Sequence, residues 1–251
     1  MGGVPVLGAF GAALAASAEQ WPGTALLPQR LAGACAQVLP VTGAGMSLYF
    51  APGRRLPLGA SDEMAGAAER LQFTVGEGPC LAAHAEQRPV VADEAELGAR
   101  WPAFTAELVA QTPIRGVIAL PLSDGLASVG VLDLYVAAPN QVGDLSLVDA
   151  LVVSKEVTRV FQLGASSEHI SPTRGGPSGP AWLEAPPARQ RARVWQAMGM
   201  VNAGLNIDSV DALAVLRSHA YSHDTDVDTI ADLVVDGFLP VQELAPDLGA
   251  P

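Results

Sequence analysis

The 251-residue sequence is short of lysine and of positive charge, and these shortages restrict its partners. Lys155 is the one lysine beside thirteen arginines, and the formal net charge is −12. Because neutralised phosphates supply most of the affinity of nucleic-acid binders, this charge excludes broad, nonspecific binding to nucleic acid. The charge does not exclude a small, specific nucleic-acid site built from a few arginines, because the local electrostatic field, and not the net charge, governs binding at such a site.

The small number of cysteines and the absence of a long apolar run restrict the class of protein further. Cys35 and Cys80 are too few for a disulfide framework or a cysteine-based metal site, and no metal or cofactor is predicted. Cys80 follows glycines and a proline, a setting that can lower a thiol pKa, but a buried core thiol is the favoured interpretation. The sequence has no uncharged apolar stretch of about eighteen residues and no basic segment that would open a signal peptide. It therefore predicts a cytoplasmic protein without a membrane partner.

Recognisable catalytic motifs are missing as well. The sequence contains no phosphate-binding glycine loop, no zinc-type histidine pair and no Gly-x-Ser-x-Gly elbow. The four histidines are scattered along the chain: His84, His169, His219 and His223. These absences predict that the protein is not an enzyme.

A proline- and glycine-rich stretch divides the chain. Residues 164–188 hold five prolines and four glycines and lack apolar periodicity, which is typical of a linker. The sequence predicts five segments: an N-terminal extension over 1–27, a large domain over 28–163, a linker over 164–187, a small helical domain over 188–240 and a tail over 241–251.

The large domain mixes helical and strand patterns. The predicted elements are a helix at 31–39, strands at 44–50 and 56–58, helices at 61–71 and 80–85, a strand at 89–92, a helix at 101–110, strands at 116–122 and 128–136, and a long helix capped by Asp144. This order predicts an α+β domain with an antiparallel sheet flanked by helices. The long final helix is apolar on more than one face, which indicates either a homodimer through this helix or burial within its own domain.

Three short amphipathic helices are predicted after the linker. The first begins at Arg189, and the second opens at Asp208 or Ser209. The third runs from Val227 to Phe238, with apolar residues at i, i+3, i+4, i+7 and i+11. Each helix carries one apolar stripe, so we expect the three to bury these stripes against one another in an all-α bundle.

Several motifs in the large domain resemble the actinobacterial type of GAF domain. They are the GEGPC loop at 76–80, Arg100–Trp101–Pro102 with Phe104, Pro121–Leu122, and GVLDLY at 130–135. The resemblance implies a sensory domain that binds a small molecule between sheet and helices, or one that serves for dimerisation. Trp101 and Phe104 are candidates for lining such a ligand pocket, and the alternative is that they pack a helix against the sheet.

The small domain is similar to the ANTAR domain, a three-helix RNA-binding module. The matching residues are Gln196 to Met200, Ala212, Leu216, Ala220, Ala231 and Val234–Val235. The resemblance implies a transcription antiterminator that holds a paired RNA hairpin in a nascent transcript. The order of a GAF-like domain followed by an ANTAR-like domain is more specific than either half alone.

Arginines and one tyrosine on the first two of these helices are candidate RNA contacts. Arg189, Arg193 and Gln196 lie at i, i+4 and i+7 on one helix face, and Arg217 and Tyr221 form an i, i+4 pair. An arginine fork can hold a phosphate or stack on an unpaired base, and an exposed tyrosine can stack on a loop base. The alternative is that these are ordinary solvated residues, with the tyrosine packed at the bundle edge.

The sequence thus predicts a signal-responsive regulator that senses or dimerises through its GAF-like domain and binds hairpin RNA through its bundle. A rival function is a small-molecule sensor whose bundle has lost RNA binding and mediates protein contacts. Two observations support the rival. Asp228, Asp232 and Asp236 form an acidic stripe, which is expected to repel itself and to repel phosphates, and Met198 replaces a lysine that ANTAR helices commonly carry. No DNA binding is predicted, because the third helix carries aspartates and no arginine.

Overall fold

A computed structural model describes residues 3–49, 55–124, 127–138, 141–168 and 180–245. Parts of several predicted features lie outside these residues. They are Phe50 at the end of a predicted strand, Pro52–Gly53, where the sequence predicts a turn, the tip of the hairpin that the strands at 116–122 and 128–136 predict, the middle of the linker with His169, and the end of the tail.

The N-terminal part is built from five strands and seven helices among the described residues. They are α1 (Gly3–Gln20), α2 (Leu27–Val38), β1 (Gly43–Tyr49), β2 (Arg55–Ala60), α3 (Glu63–Val75), α4 (Pro79–Glu86), β3 (Val90–Ala92), α5 (Glu94–Arg100), α6 (Pro102–Gln111), β4 (Ile114–Asp124), β5 (Ala127–Ala137) and α7 (Leu147–Glu168). The strands form one sheet in the order β2-β1-β5-β4-β3, and all neighbouring pairs are antiparallel. The predicted antiparallel sheet flanked by helices is confirmed.

The two faces of the sheet pack against different helices. Because side chains alternate along a strand, Leu132 and Leu134 of β5 face one side while Asp133 and Tyr135 face the other. The first side packs on α2 and α7, and α1 packs on these two helices, with Phe10 in the same core cluster. The second packs on α3 to α6. The Asp133 side chain of β5 is therefore directed toward α3 and α4.

Helix α1, helix α5 and the start of α7 differ from the sequence expectation. Helix α1 occupies most of the predicted N-terminal extension and buries Phe10, although its alanines and glycines give little apolar periodicity. Helix α5 spans only seven residues and was not predicted. The prediction that Asp144 caps α7 is wrong: its carboxylate accepts a hydrogen bond from Gln141 N within a separate turn, and α7 begins at Leu147. No helix in the described ranges is long and apolar enough to cross a membrane.

Three further helices follow the linker: α8 (Pro186–Leu205), α9 (Ser209–Ser222) and α10 (Val227–Val235). Asp208 and Asp226 cap the second and third, since each carboxylate accepts backbone N–H bonds of the first turn. The helices bury a shared core, but the prediction that Phe238 belongs to the buried stripe of α10 is wrong, because the helix ends at Val235 and Phe238 is 79% exposed. The core also takes in Phe73 from α3, so the three helices do not bury only one another.

Candidate functional site

The GEGPC segment connects α3 to α4 and contacts the start of α6. Gly76 ends α3 in the left-handed region at φ 82°, where glycine avoids the steric cost of a side chain. Glu77 Oε1 accepts hydrogen bonds from the backbone N–H groups of Ala103 and Phe104, each at 3.1 Å. Its carboxylate thereby satisfies free donors in the first turn of α6. Pro79 then opens α4.

Gln72 connects the GEGPC segment to the sheet. Its Oε1 accepts from Cys80 N at 2.8 Å, and its Nε2 donates to the Tyr135 hydroxyl at 3.2 Å. A Cβ at Gly78 would lie 2.6 Å from Gln72 Oε1, so glycine is needed for this approach. The Sγ atom of Cys80 lies 3.2 Å from the Tyr49 hydroxyl, and burial raises the pKa of this thiol well above its usual range. The expectation of a buried core thiol is confirmed.

A buried set of polar side chains, the Arg55 cluster, lies between the sheet and α3. It consists of Ser47, Arg55, Glu69, Gln72, Asp133 and Tyr135. Glu69 is its centre: its carboxylate pairs with the Arg55 guanidinium and accepts hydrogen bonds from Tyr135 at 2.6 Å and Ser47 at 2.8 Å. Arg55 Nη1 also donates to the Glu69 backbone carbonyl at 2.9 Å. Every polar atom of the Glu69 side chain therefore has a partner.

The Arg55 cluster holds one guanidinium and two carboxyl groups. Glu69 pairs with Arg55, and Asp133 Oδ2 lies 3.7 Å from Arg55 Nη2. Burial, followed by the negative charge of Glu69, raises the pKa of Asp133 well above its usual range. The raised pKa favours the neutral form of Asp133, which leaves Arg55 and Glu69 as the main ion pair of the cluster. Sequence reasoning missed these residues, although an aspartate within the apolar GVLDLY run was a usable signal.

Helix α3 joins the Arg55 cluster to the bundle. Phe73, one residue after Gln72, is 1% exposed and its ring lies 3.3 Å from the Arg191 guanidinium carbon and 4.9 Å from that of Arg217. Both arginines can make cation–π contacts with this ring. Arg217 Nε donates to the Phe73 carbonyl at 2.8 Å, and Val227 N donates to Thr74 Oγ1 at 3.3 Å. We refer to these contacts of Phe73 and Thr74 as the Phe73 joint.

The acidic stripe of α10 faces the arginines of α8. Asp232 pairs with Arg193 and accepts from Gln190 Nε2 at 2.9 Å, and Asp236 accepts from Arg193 Nη2 at 2.7 Å. Asp228 lies 3.5 Å from Arg191. The expected self-repulsion of the stripe is therefore offset within the bundle, a pairing between helices that i, i+4 spacing does not reveal.

The structure gives the five candidate RNA contacts different surroundings. Arg189 is exposed and pairs with Glu184 at 2.9 Å, whereas Arg193 pairs with α10 and Arg217 is half-buried against α3. Gln196 and Tyr221 are exposed. Arg193 and Arg217 thus have protein partners that an RNA would have to displace, and the RNA-binding role of the five residues stays a prediction.

Trp101 and Phe104 lie in the core between the sheet and α3 to α6. Phe104 is completely buried, and the Arg100 guanidinium carbon lies 4.3 Å from the Trp101 ring centre. Both side chains pack a helix against the sheet, which was the alternative considered for them. Their part in a ligand pocket stays a prediction.

Comparison with known proteins gives matches among solved structures alone. No protein-family model and no curated protein matches the chain. It is similar to GAF domains of phosphoenolpyruvate-protein phosphotransferases from Coxiella burnetii (10% identity, TM-score 0.47, covering 66% of this chain and 97% of that chain) and Acinetobacter (11%, 0.45, 66% and 98%). A third match is free methionine-R-sulfoxide reductase from Neisseria meningitidis (14%, 0.38, 63% and 90%). Identities and TM-scores this low carry no argument about family, ligand or activity, and the ANTAR resemblance stays a prediction.

The prediction that the protein is not an enzyme requires correction. The similar structures include free methionine-R-sulfoxide reductases at 12–14% identity, beside GAF domains of sensor proteins. The phosphate-binding loop, the histidine pair and the Gly-x-Ser-x-Gly elbow represent only a few chemistries, such as phosphate binding and nucleophilic hydrolysis. Their absence therefore does not decide whether this chain catalyses a reaction.

Proposed function

We propose that the protein is a signal-responsive regulator in which a GAF-like sensor domain controls the bundle of α8, α9 and α10. The bundle binds hairpin RNA and thereby influences transcription termination. The signal is a small molecule bound by the sensor domain, or its dimerisation.

The observation that carries this proposal is that α3 contributes residues to both the sensor domain and the bundle. Glu69 and Gln72 of this helix belong to the Arg55 cluster inside the sensor domain, and Phe73 belongs to the core of the bundle. A shift of α3 that follows a change in the sensor would therefore move Phe73 relative to Arg191 and Arg217. Arg217 is one of the candidate RNA contacts, so the state of the sensor would alter its availability.

Two features of the bundle support RNA as its partner. The acidic stripe, the main electrostatic objection, is paired with arginines of α8 and presents less free negative charge than the sequence suggests. Arg189, Gln196 and Tyr221 remain exposed, and arginine and tyrosine suit phosphates and unpaired bases. The resemblance to ANTAR domains supplies the hairpin as the form of RNA.

The RNA proposal is tested by a gel-shift titration with a paired-hairpin RNA over a range of salt concentrations. Replacing Arg189 and Arg193 by alanine should weaken binding and reduce the slope of log K against log salt by about 1.5, because two phosphate contacts are lost. The matched control replaces Arg88 and Arg159, two exposed arginines of the sensor domain, and should change neither. Wild-type protein that retains no hairpin at low salt would refute the proposal.

A second candidate function is protein binding through the bundle without RNA. It is favoured by the ion pairs of Arg193 with Asp232 and Asp236, which occupy an arginine that RNA would need. Failure to bind the hairpin, together with retention of the folded helices, would favour this candidate.

A homodimer through α7 is part of the proposal. One face of α7 packs in the sensor core through Ala150, Val153 and Val157, as the intradomain alternative requires. The helix also exposes the side chains of Leu147 and Val148, and Val148 is 67% exposed. These apolar residues outside the core support a second copy as partner.

Sedimentation of the wild type and two valine variants tests the dimer. Val148→Glu should convert the dimer to a monomer, because burying the new carboxylate at an apolar interface is costly. Val210→Glu is the matched control, since Val210 is 69% exposed on α9, and this variant should stay dimeric. A monomeric wild type, or equal effects of both substitutions, would contradict the assignment.

A further inference from the structure

A cavity of about 320 Å³ lies between the sensor domain and the bundle. One wall is formed by β2 and α3, including Pro57, Ala60 and Gly66, and the opposite wall by the start of α8 and by α10. Most of the lining residues are prolines, glycines or alanine, so the cavity is largely apolar, as in many small-molecule sites. Four charged residues line it as well: Glu69, Arg70, Arg191 and Asp228.

Arg191 and Asp228 are the charged residues with unused bonding capacity. Arg191 is 1% exposed, and its Nε and Nη1 atoms have no hydrogen-bond partner within the described part of the chain. The same holds, among the described residues, for Asp228 Oδ1. The two side chains meet only through Nη2 and Oδ2, at 3.5 Å, which is long for a charge-assisted bond. Buried donors and acceptors normally have partners, and a polar ligand could supply them once the long contact between Arg191 and Asp228 opens toward the cavity.

The other two charged residues are engaged elsewhere. The Glu69 carboxylate is held by Arg55, Tyr135 and Ser47 within the Arg55 cluster. Arg70 is half exposed and lies 3.9 Å from Asp226. Gln190 also lines the cavity, and its Nε2 donates to Asp232 at 2.9 Å. The charged groups left for recognition in this cavity are therefore one guanidinium and one carboxylate, side by side.

We propose that this cavity binds a free amino acid with an apolar side chain. The carboxylate of the ligand would accept hydrogen bonds from Arg191, and its ammonium group would donate to Asp228. A zwitterion matches an adjacent cation and anion without leaving either charge unpaired, whereas a ligand with one charge would leave an unpaired buried group. The apolar walls formed by Pro57, Pro186 and Pro187 would surround the side chain.

Occupancy of this cavity would hold the two domains together. Arg191 belongs to α8 and stacks on Phe73 of α3, so a ligand bound to its guanidinium stabilises the Phe73 joint. The site requires neither RNA binding nor dimerisation and therefore goes beyond the proposed function.

Thermal unfolding of the full chain with each standard amino acid tests the proposal. An amino acid that binds should raise Tm by about 5–10 °C at a hundredfold excess over Kd, since it binds the folded state alone. For each amino acid that does so, the corresponding carboxylic acid without the amine and the amine without the carboxylate should give much smaller shifts. For leucine these are 4-methylpentanoate and isopentylamine.

Two variants assign the effect to this cavity. Gly66→Met places a helix-favouring side chain in the cavity: a Cβ there lies 3.5 Å from Arg70 Nη1 and 3.9 Å from Ala60 Cβ, without a clash. It should abolish the ligand-induced shift without lowering Tm. Gly98→Met is the matched control, because Gly98 lies on α5 with nothing within 4 Å, and it should leave the shift intact. Asp228→Asn should weaken amino-acid binding about tenfold or more, since a charged hydrogen bond is lost.

The proposal is wrong if no standard amino acid raises Tm, if the single-charge analogues act equally, or if Gly66→Met keeps the shift. These results are independent of the gel-shift titration. A bundle that binds no RNA leaves the amino-acid site intact, and a failed thermal-shift screen leaves the RNA proposal intact.

Discussion

Replacing Glu69 by alanine should lower the free energy of unfolding by about 3–5 kcal/mol, because it leaves the buried Arg55 guanidinium without its main counterion. The same change removes the acceptor of the Tyr135 and Ser47 hydroxyl groups, both of which are buried. A urea titration followed by circular dichroism measures the effect on the full chain. A loss below about 1 kcal/mol would show that Arg55 is paired by other groups.

Asp133→Asn is the matched substitution for this prediction. Burial and the negative charge of Glu69 raise the pKa of Asp133 in the folded state, while the unfolded chain releases the proton above the ordinary aspartate range. The wild type therefore loses stability as the pH rises from that range toward the raised pKa, and asparagine removes the loss. At neutral pH this variant should be as stable as the wild type or more stable. If it cost as much as Glu69→Ala, Asp133 would have to be the ionised partner of Arg55.

Phe73→Ala should cost about 3–5 kcal/mol and should loosen the bundle more than the sheet, because the ring is buried among bundle residues. The substitution also removes the ring on which the buried Arg191 guanidinium stacks. Hydrogen exchange measures the outcome: amides of α8 to α10 should exchange faster, while those of β4 and β5 keep their protection.

Phe104→Ala provides the comparison for Phe73. Phe104 is equally buried but belongs to the core between the sheet and α6, away from the bundle. Its loss should increase exchange in the sheet and leave α8 to α10 unchanged. Equal exchange profiles for the two variants would mean that α3 does not couple the domains as proposed.

Periodicity and turn residues predicted most of the elements correctly. The start of α9 at Asp208 or Ser209 was predicted, because aspartate and serine accept the free N–H groups of the turn that follows them, and Asp208 is the cap. Helix α1 was missed because alanine and glycine weaken the contrast on which periodicity depends. Its place in the fold comes from Phe10, which packs against elements that follow much later in the chain.

The candidate site was only partly readable from sequence. The GEGPC motif was recognised, but the reason for its residues is tertiary: Glu77 caps α6, and Gly78 makes room for Gln72. The acidic stripe was seen correctly as a spacing on α10 and was interpreted as self-repelling. Its partners lie on α8, and helix periodicity does not show which neighbour a face meets.

The sequence by itself determined the antiparallel α+β domain, the three helices that follow it, and the negative charge that limits nucleic-acid contacts. These properties depend on composition and on patterns within one element, where neighbours in the chain are neighbours in space. Only the tertiary structure decided that Phe73 contacts Arg191 and Arg217, that Glu69 meets Arg55, and that a cavity lies beside the contacts between the two domains. Each of these depends on side chains distant in sequence, and their packing is set by the whole fold.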